Sequence, residues 1–117
     1  MTPPEATDFL LTIRHPADDT LEIGLSGALN EGTVAAFREA LEQHQAETFA
    51  RLVFDCQRLS FLSSAGLSAL VVVFQRRKRA SQTMVLKHVQ PMVRKILRLT
   101  RLDQHLTIID SDDPPAA

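Results

Sequence analysis

The stretch Leu59-Ser60-Phe61-Leu62-Ser63-Ser64-Ala65-Gly66-Leu67 decides how this chain is read. It follows an apolar, strand-like segment, Leu52-Val53-Phe54, and runs straight into a helix-like one, Leu67 to Arg79. Hydroxyls and a glycine therefore stand where a strand gives way to a helix. The first amides of a helix lack partners and lie at the positive end of its dipole, so a side chain there is well placed to hold an anion. A serine that receives a phosphate at such a point is a two-state charge switch.

Upstream of this stretch, Phe9 to Arg14 reads as a strand and His15 to Asp19 as a turn, broken by Pro16 and the Asp pair. Leu21 to Gly27 alternates apolar with small or polar residues, the period of a half-buried strand, and pairs with the first as a hairpin. Asn30 is expected to cap a helix of about four turns with Val34, Phe37, Ala40, Leu41 and His44 or Gln45 on its inner stripe. Arg51 to Asp55 is a short central strand. The nine-residue stretch is then a loop, and a second helix runs from about Ser64 to Ala80.

Downstream, Thr83 to His88 is a strand and Gln90-Pro91 opens a third helix, with Val93, Ile96, Leu97 and Thr100 facing inward. Leu106 to Ile109 is the last strand. The order ββαβαβαβ predicts an α/β fold, a mixed sheet of four to five strands with helices packed on it. Strands separated by single helices are parallel neighbours joined by right-handed crossovers.

The chain of 117 residues suits one domain, with residues 9–109 as the domain and 1–8 and 110–117 as loose tails rich in Pro, Asp and Ala or Thr. A net charge of -1, no Trp, no Tyr and six Phe argue against nucleic acid as a partner. The apolar run Leu67 to Phe74 is too short for membrane insertion, and Met1-Thr-Pro-Pro-Glu lacks the character of a signal peptide. Cys56 stands alone and has no disulfide partner, so a cytoplasmic location is expected.

On the second helix, Leu67, Leu70, Val71, Phe74 and Lys78 share the face expected to be core. Arg76-Arg77-Lys78-Arg79 reads as a solvated end favoured by the dipole. Ser68 and Val72 have two readings: cover under neighbouring loops, or an exposed mixed patch where a partner docks.

Leu59 to Leu67 resembles the signature of the STAS family, named for sulphate transporters and anti-sigma factor antagonists. The loop of its bacterial antagonist branch commonly reads Leu-Ser-Phe-Met-Asp-Ser-Ser-Gly-Leu. Leu59, Ser60, Phe61, Ser64, Gly66 and Leu67 match, Leu62 stands for Met, Ser63 for Asp, and Ala65 for the second hydroxyl residue. Gly27-Ala28-Leu29-Asn30 is similar to the family's Gly-Glu-Leu-Asp segment.

The resemblance implies an anti-sigma factor antagonist, a regulatory protein and not an enzyme, with no cofactor. Its partner would be an anti-sigma factor kinase of histidine-kinase-like ATPase fold, bound only by the unphosphorylated form. Ser64 matches the phosphorylated serine, with Ser63 as a competing acceptor, and a metal-dependent serine phosphatase resets the switch. Asn30, Ser63, Ser64, Ala65, Gly66, Ser68 and Val72 are the expected partner-binding residues. Asn30 and Ser63 are neutral where the family commonly carries Asp, which tunes phosphoryl transfer to a different kinase. The family's final helix has little room in Asp110 to Ala117, so a homodimer is expected to cover one face of the sheet or the first helix. The alternative is a non-phosphorylated STAS adaptor subunit of a transport or signalling complex.

Other residues carry plainer expectations. His15, His44, His88 and His105 are scattered without metal-ligand spacing, and His88 is read as a packing or hydrogen-bonding residue. Cys56 is a small buried hydrophobe. Asp55 caps loop amides or approaches Ser64, and Gly66 permits close packing of the helix start. Ser64 as a nucleophile lacks both a Gly-x-Ser-x-Gly elbow and an evident histidine.

Overall fold

The computed structural model describes residues 9–109. The tails expected at 1–8 and 110–117 lie outside the described residues. The strands are β1 (Leu10–Ala17), β2 (Thr20–Leu29), β3 (Arg51–Leu62), β4 (Thr83–Lys87) and β5 (Thr107–Ile109). The helices are α1 (Val34–Gln43), α2 (Ser64–Arg79) and α3 (Pro91–Leu99), with single 3-10 turns at Ala46–Thr48 and Leu102–Gln104. The sheet order is β1-β2-β3-β4-β5, with β1 antiparallel to β2 and every other neighbour parallel. This is the expected α/β arrangement with all five strands formed.

The sheet turns one side toward the helices through Leu21, Ile23, Leu52, Phe54 and Leu86, all buried. Phe37 of α1 lies on Phe54 with ring centroids 5.5 Å apart, and Leu70 of α2 with Val93 and Leu97 of α3 completes the same core. The alternate residues face the other side, where the buried Glu22 and Lys87 pair at 3.0 Å and Arg14 stands 3.7 Å from Glu22.

Several expectations need correction. The first turn shrinks to Asp18-Asp19, because β1 continues through His15 and Pro16. Proline is tolerated there since β1 is an edge strand and the register already shifts between Arg14 and Ala17.

The helix α1 starts at Val34 behind Thr33, not behind Asn30. Thr33 Oγ1 donates to the Ala28 carbonyl (2.7 Å) and accepts from the Asn30 amide (2.9 Å), while Asn30 Oδ1 accepts from the Gly32 amide (2.9 Å). Asn30 thus closes a turn ahead of the helix, which runs ten residues instead of four turns.

The strand β3 does not stop at Asp55 but continues to Leu62. Gly24 pairs with Asp55 while Ser26 pairs with Arg58, and Gly27 pairs with Leu59 while Ala28 pairs with Phe61. Each shift puts one extra residue on β3, a β-bulge. Its buried residues therefore come at Phe54, Cys56, Leu59 and Leu62, and the two-residue alternation that marks a strand is lost.

The buried face of α2 carries Gly66, Ala69, Leu70 and Arg77. Leu67, Val71 and Phe74 are half-buried at its border, and Lys78 is exposed. Arg77 is no solvated helix end: its Nε and Nη2 donate to the Thr83 carbonyl (3.0 and 2.8 Å) and its Nη1 to the Ala46 carbonyl (3.0 Å). It stitches the end of α2 to the start of β4 and to the turn after α1. In α3, Val93 and Leu97 are buried as expected, but Thr100 is exposed and its hydroxyl donates back to the Ile96 carbonyl.

Candidate functional site

The parallel register of β2 and β3 ends with Leu29 opposite Leu62. The next residues, Asn30 and Ser63, therefore stand side by side at the carboxyl edge of the sheet, where open α/β sheets place their binding residues. Between β3 and α2 lies the single residue Ser63, so the expected loop is a one-residue corner.

Ser63 is fully engaged in making that corner. Its amide donates to the Leu29 carbonyl (3.0 Å), its carbonyl accepts from the Leu67 amide (2.8 Å), and its hydroxyl accepts from the Gly66 amide (3.3 Å). It is the N-cap of α2. Ser64 is the first residue of the helix, exposed, and its hydroxyl has no hydrogen-bond partner among the described residues.

From Ser64 the outer surface of α2 continues through Ser68 and Val72, one and two turns on. Both are exposed, Val72 by 40%, while Val73 is half-buried. Ser64, Ser68 and Val72 border a shallow depression with Leu67 and Val71, closed on its far side by Thr100 and Leu102. Those last two were not legible in the sequence, because only the return of the chain after α3 brings them there. Phe61, 46% exposed at the end of β3, lies just ahead of the corner.

The remaining expected residues divide. Ala65 is half-buried beside Ser64. Asn30 is at the same sheet edge but half-buried with its amide tied into a turn, outside the depression. Gly66 is buried and faces inward: a Cβ there would fall on the Leu29 carbonyl, so it permits close packing and presents nothing to a partner. Asp55 accepts from the Gln57 amide (3.1 Å), the capping role, and six residues of strand separate it from Leu62, roughly 20 Å.

Among the described residues no cluster of His, Cys, Asp and Glu is arranged to hold a metal ion, and no helix is long and apolar enough to cross a membrane. His15 stacks on Phe49. Cys56 is buried, and burial followed by the adjacent Asp55 charge pushes its thiol up to about 12. Ser64 presents an exposed hydroxyl at the rim of a shallow depression of mixed character.

Comparison with known proteins agrees with this geometry. BtrV of Bordetella bronchiseptica, a protein named as a candidate anti-sigma factor antagonist, is 25% identical over 100 residues, spanning 86% of each chain. The crystal structure of an anti-sigma factor antagonist from Mycobacterium paratuberculosis superposes with a TM-score of 0.80 at 21% identity, covering 97% of this chain and 93% of that one. The antagonist SpoIIAA in its unphosphorylated form superposes with a TM-score of 0.75 at 19% identity, covering 89% of this chain and 90% of that one. The phosphorylated form of Bacillus SpoIIAA gives 0.70 at 18%, covering 89% and 93%. The family model described as the STAS domain matches residues 13–113, nearly the whole length, and with the ββαβαβαβ fold this establishes that the chain belongs to the STAS domain family.

Proposed function

We propose that this protein is an anti-sigma factor antagonist switched by phosphorylation of Ser64. Unphosphorylated, it binds an anti-sigma factor that is also a serine kinase of histidine-kinase-like ATPase fold, and the sigma factor is freed. A phosphate on Ser64 ends that binding, and a metal-dependent serine phosphatase restores it.

The observation that carries this reading is the division of labour between two adjacent hydroxyls. Ser63 is spent on the helix cap, whereas Ser64 is exposed and unengaged. A kinase acting at Ser63 would have to break the cap, about 1 kcal/mol of stability, before reaching its oxygen. Phosphate on Ser64 would add about -1.5 to -2 charges at the start of α2, where the helix dipole favours them. The fold need not change; the surface shared by Ser64, Ser68 and Val72 does. Superposition on both the unphosphorylated and the phosphorylated SpoIIAA is in keeping with a switch of this kind.

Incubation with the cognate kinase and Mg-ATP, followed by peptide mass mapping, tests the assignment. One phosphate is expected on Ser64 in the wild type and in Ser63→Ala, and none in Ser64→Ala. Phosphate on Ser63 would overturn the assignment, and no phosphate on any residue would favour an adaptor subunit.

A further inference from the structure

We infer that the groove between α1 and α2 is a binding site for a small carboxylate with an aliphatic body. The groove has a volume of about 480 Å³ and an apolar floor that includes Leu41, Leu52, Val72 and Val73. Its charged lining comprises Arg38, Arg76 and Arg77 with Glu42 and Glu47. None of these five charges is ion-paired among the described residues.

Arg77 is the decisive member. Its residue exposure is 4%, and its only partners are the carbonyls of Thr83 and Ala46. Carbonyl dipoles satisfy donors but do not neutralise a charge, and a buried cation without a counter-ion is unfavourable. Nη1 and Nη2 each carry two N–H groups and each makes one such bond, so the guanidinium keeps donor capacity, and Arg77 is among the residues that line the groove.

The chemistry of the ligand follows from the charge balance. Three guanidiniums against two carboxylates leave the groove at +1, which one monoanion cancels. Glu42 and Glu47 would repel a nucleotide or another multiply charged anion. The floor is aliphatic and contains no aromatic ring for stacking a base. A guanidinium pairs with a carboxylate bidentately, and the aliphatic floor takes the chain attached to it. Val72 also borders the depression beside Ser64, so an occupant would touch the proposed partner surface. That consequence rests on the proposed function; the site itself does not.

Sodium octanoate, titrated into the 15N-labelled full chain and followed by NMR, is the test. Saturable shifts are expected at Arg77 Nε–Hε and at the amides of Leu41 and Val73. Octan-1-ol should bind at least about tenfold more weakly, since it lacks the charge that selects the guanidinium. Arg38→Gln combined with Arg76→Gln, both at exposed positions, should weaken octanoate at least about threefold while leaving the melting temperature in place. Shifts that never saturate, equal affinity for the alcohol, or undiminished affinity in the double variant would each overturn the proposal. So would shifts at the same residues on diluting the ligand-free protein, which would put a second copy of the chain in the groove.

Discussion

Gly66 in the first turn of α2 packs against the carbonyl of Leu29 at the end of β2, leaving no room for a Cβ between them. The same carbonyl accepts the Ser63 amide at 3.0 Å, so it cannot retreat without breaking the corner that presents Ser64. Gly66→Ala sets two effects against each other. Alanine adds about 1 kcal/mol of helix propensity. Overpacking against fixed backbone removes about 3 kcal/mol, and this effect wins. A net loss of about 2 kcal/mol is expected in denaturant unfolding.

Ser63→Ala and Ser64→Ala should separate structure from function. The first removes the hydroxyl that accepts the Gly66 amide and is expected to destabilise the domain by about 1 kcal/mol. The second removes an exposed, unengaged hydroxyl and should shift stability by less than about 0.5 kcal/mol. Equal losses in thermal unfolding would show that the two hydroxyls are not divided as described.

Within the basic run at the end of α2, one residue should dominate. Arg77→Leu leaves the Thr83 and Ala46 carbonyls without their guanidinium and should cost at least about 2 kcal/mol. Arg76→Ala and Arg79→Ala, at exposed positions, should each stay within about 0.5 kcal/mol on the same denaturant curves.

Cys56 should resist alkylation by iodoacetamide at neutral pH in the folded protein and react once it unfolds, because burial and Asp55 push its thiol up to about 12. The linkage has a definite sign. Above the ordinary thiol value of 9.0 the unfolded chain has lost the proton while the folded chain keeps it until about 12. Stability contributed by this group is therefore complete below 9.0 and falls with rising pH, by at most about 1.4 kcal/mol per unit within that window. Cys56→Ala should lack this component of the decline.

Among the described residues, each of α1, α2 and α3 is followed, one position past its C-cap, by a non-glycine residue in the left-handed region: Gln45 (φ 50°), Ser81 (φ 57°) and Arg101 (φ 62°). Glycine is the residue that adopts this conformation without a Cβ penalty. Gln45→Gly, Ser81→Gly and Arg101→Gly should each stabilise the domain by about 0.5 kcal/mol, read from melting temperatures.

The elements built on simple periodicity are legible in the sequence: the β2 alternation, the Val93 and Leu97 stripe of α3, and the start of α2 at Ser64. The end of β3 was hidden because two bulges convert a period of two into steps of three at Cys56, Leu59 and Leu62. The start of α1 is not legible because Asn30 and Thr33 are both residue types favoured at a helix start, and in the fold Asn30 Oδ1 is taken by the Gly32 amide while Thr33 Oγ1 donates to the Ala28 carbonyl. The burial of Arg77 is not legible because one carbonyl partner, Ala46, lies 31 residues away and the other, Thr83, opens the following strand. At the site, Ser64, Ser68 and Val72 follow from helical spacing, whereas Thr100 and Leu102 arrive only through the packing of the chain after α3.

The most direct test is the affinity of the cognate anti-sigma factor for Ser64→Glu beside the wild type, measured by isothermal titration calorimetry with Ser64→Ala as the control for losing the hydroxyl alone. Placing a negative charge in the partner interface is expected to weaken binding about a hundredfold or more, while Ser64→Ala stays within a few-fold of the wild type. Binding of Ser64→Glu as tight as that of the wild type would contradict the account.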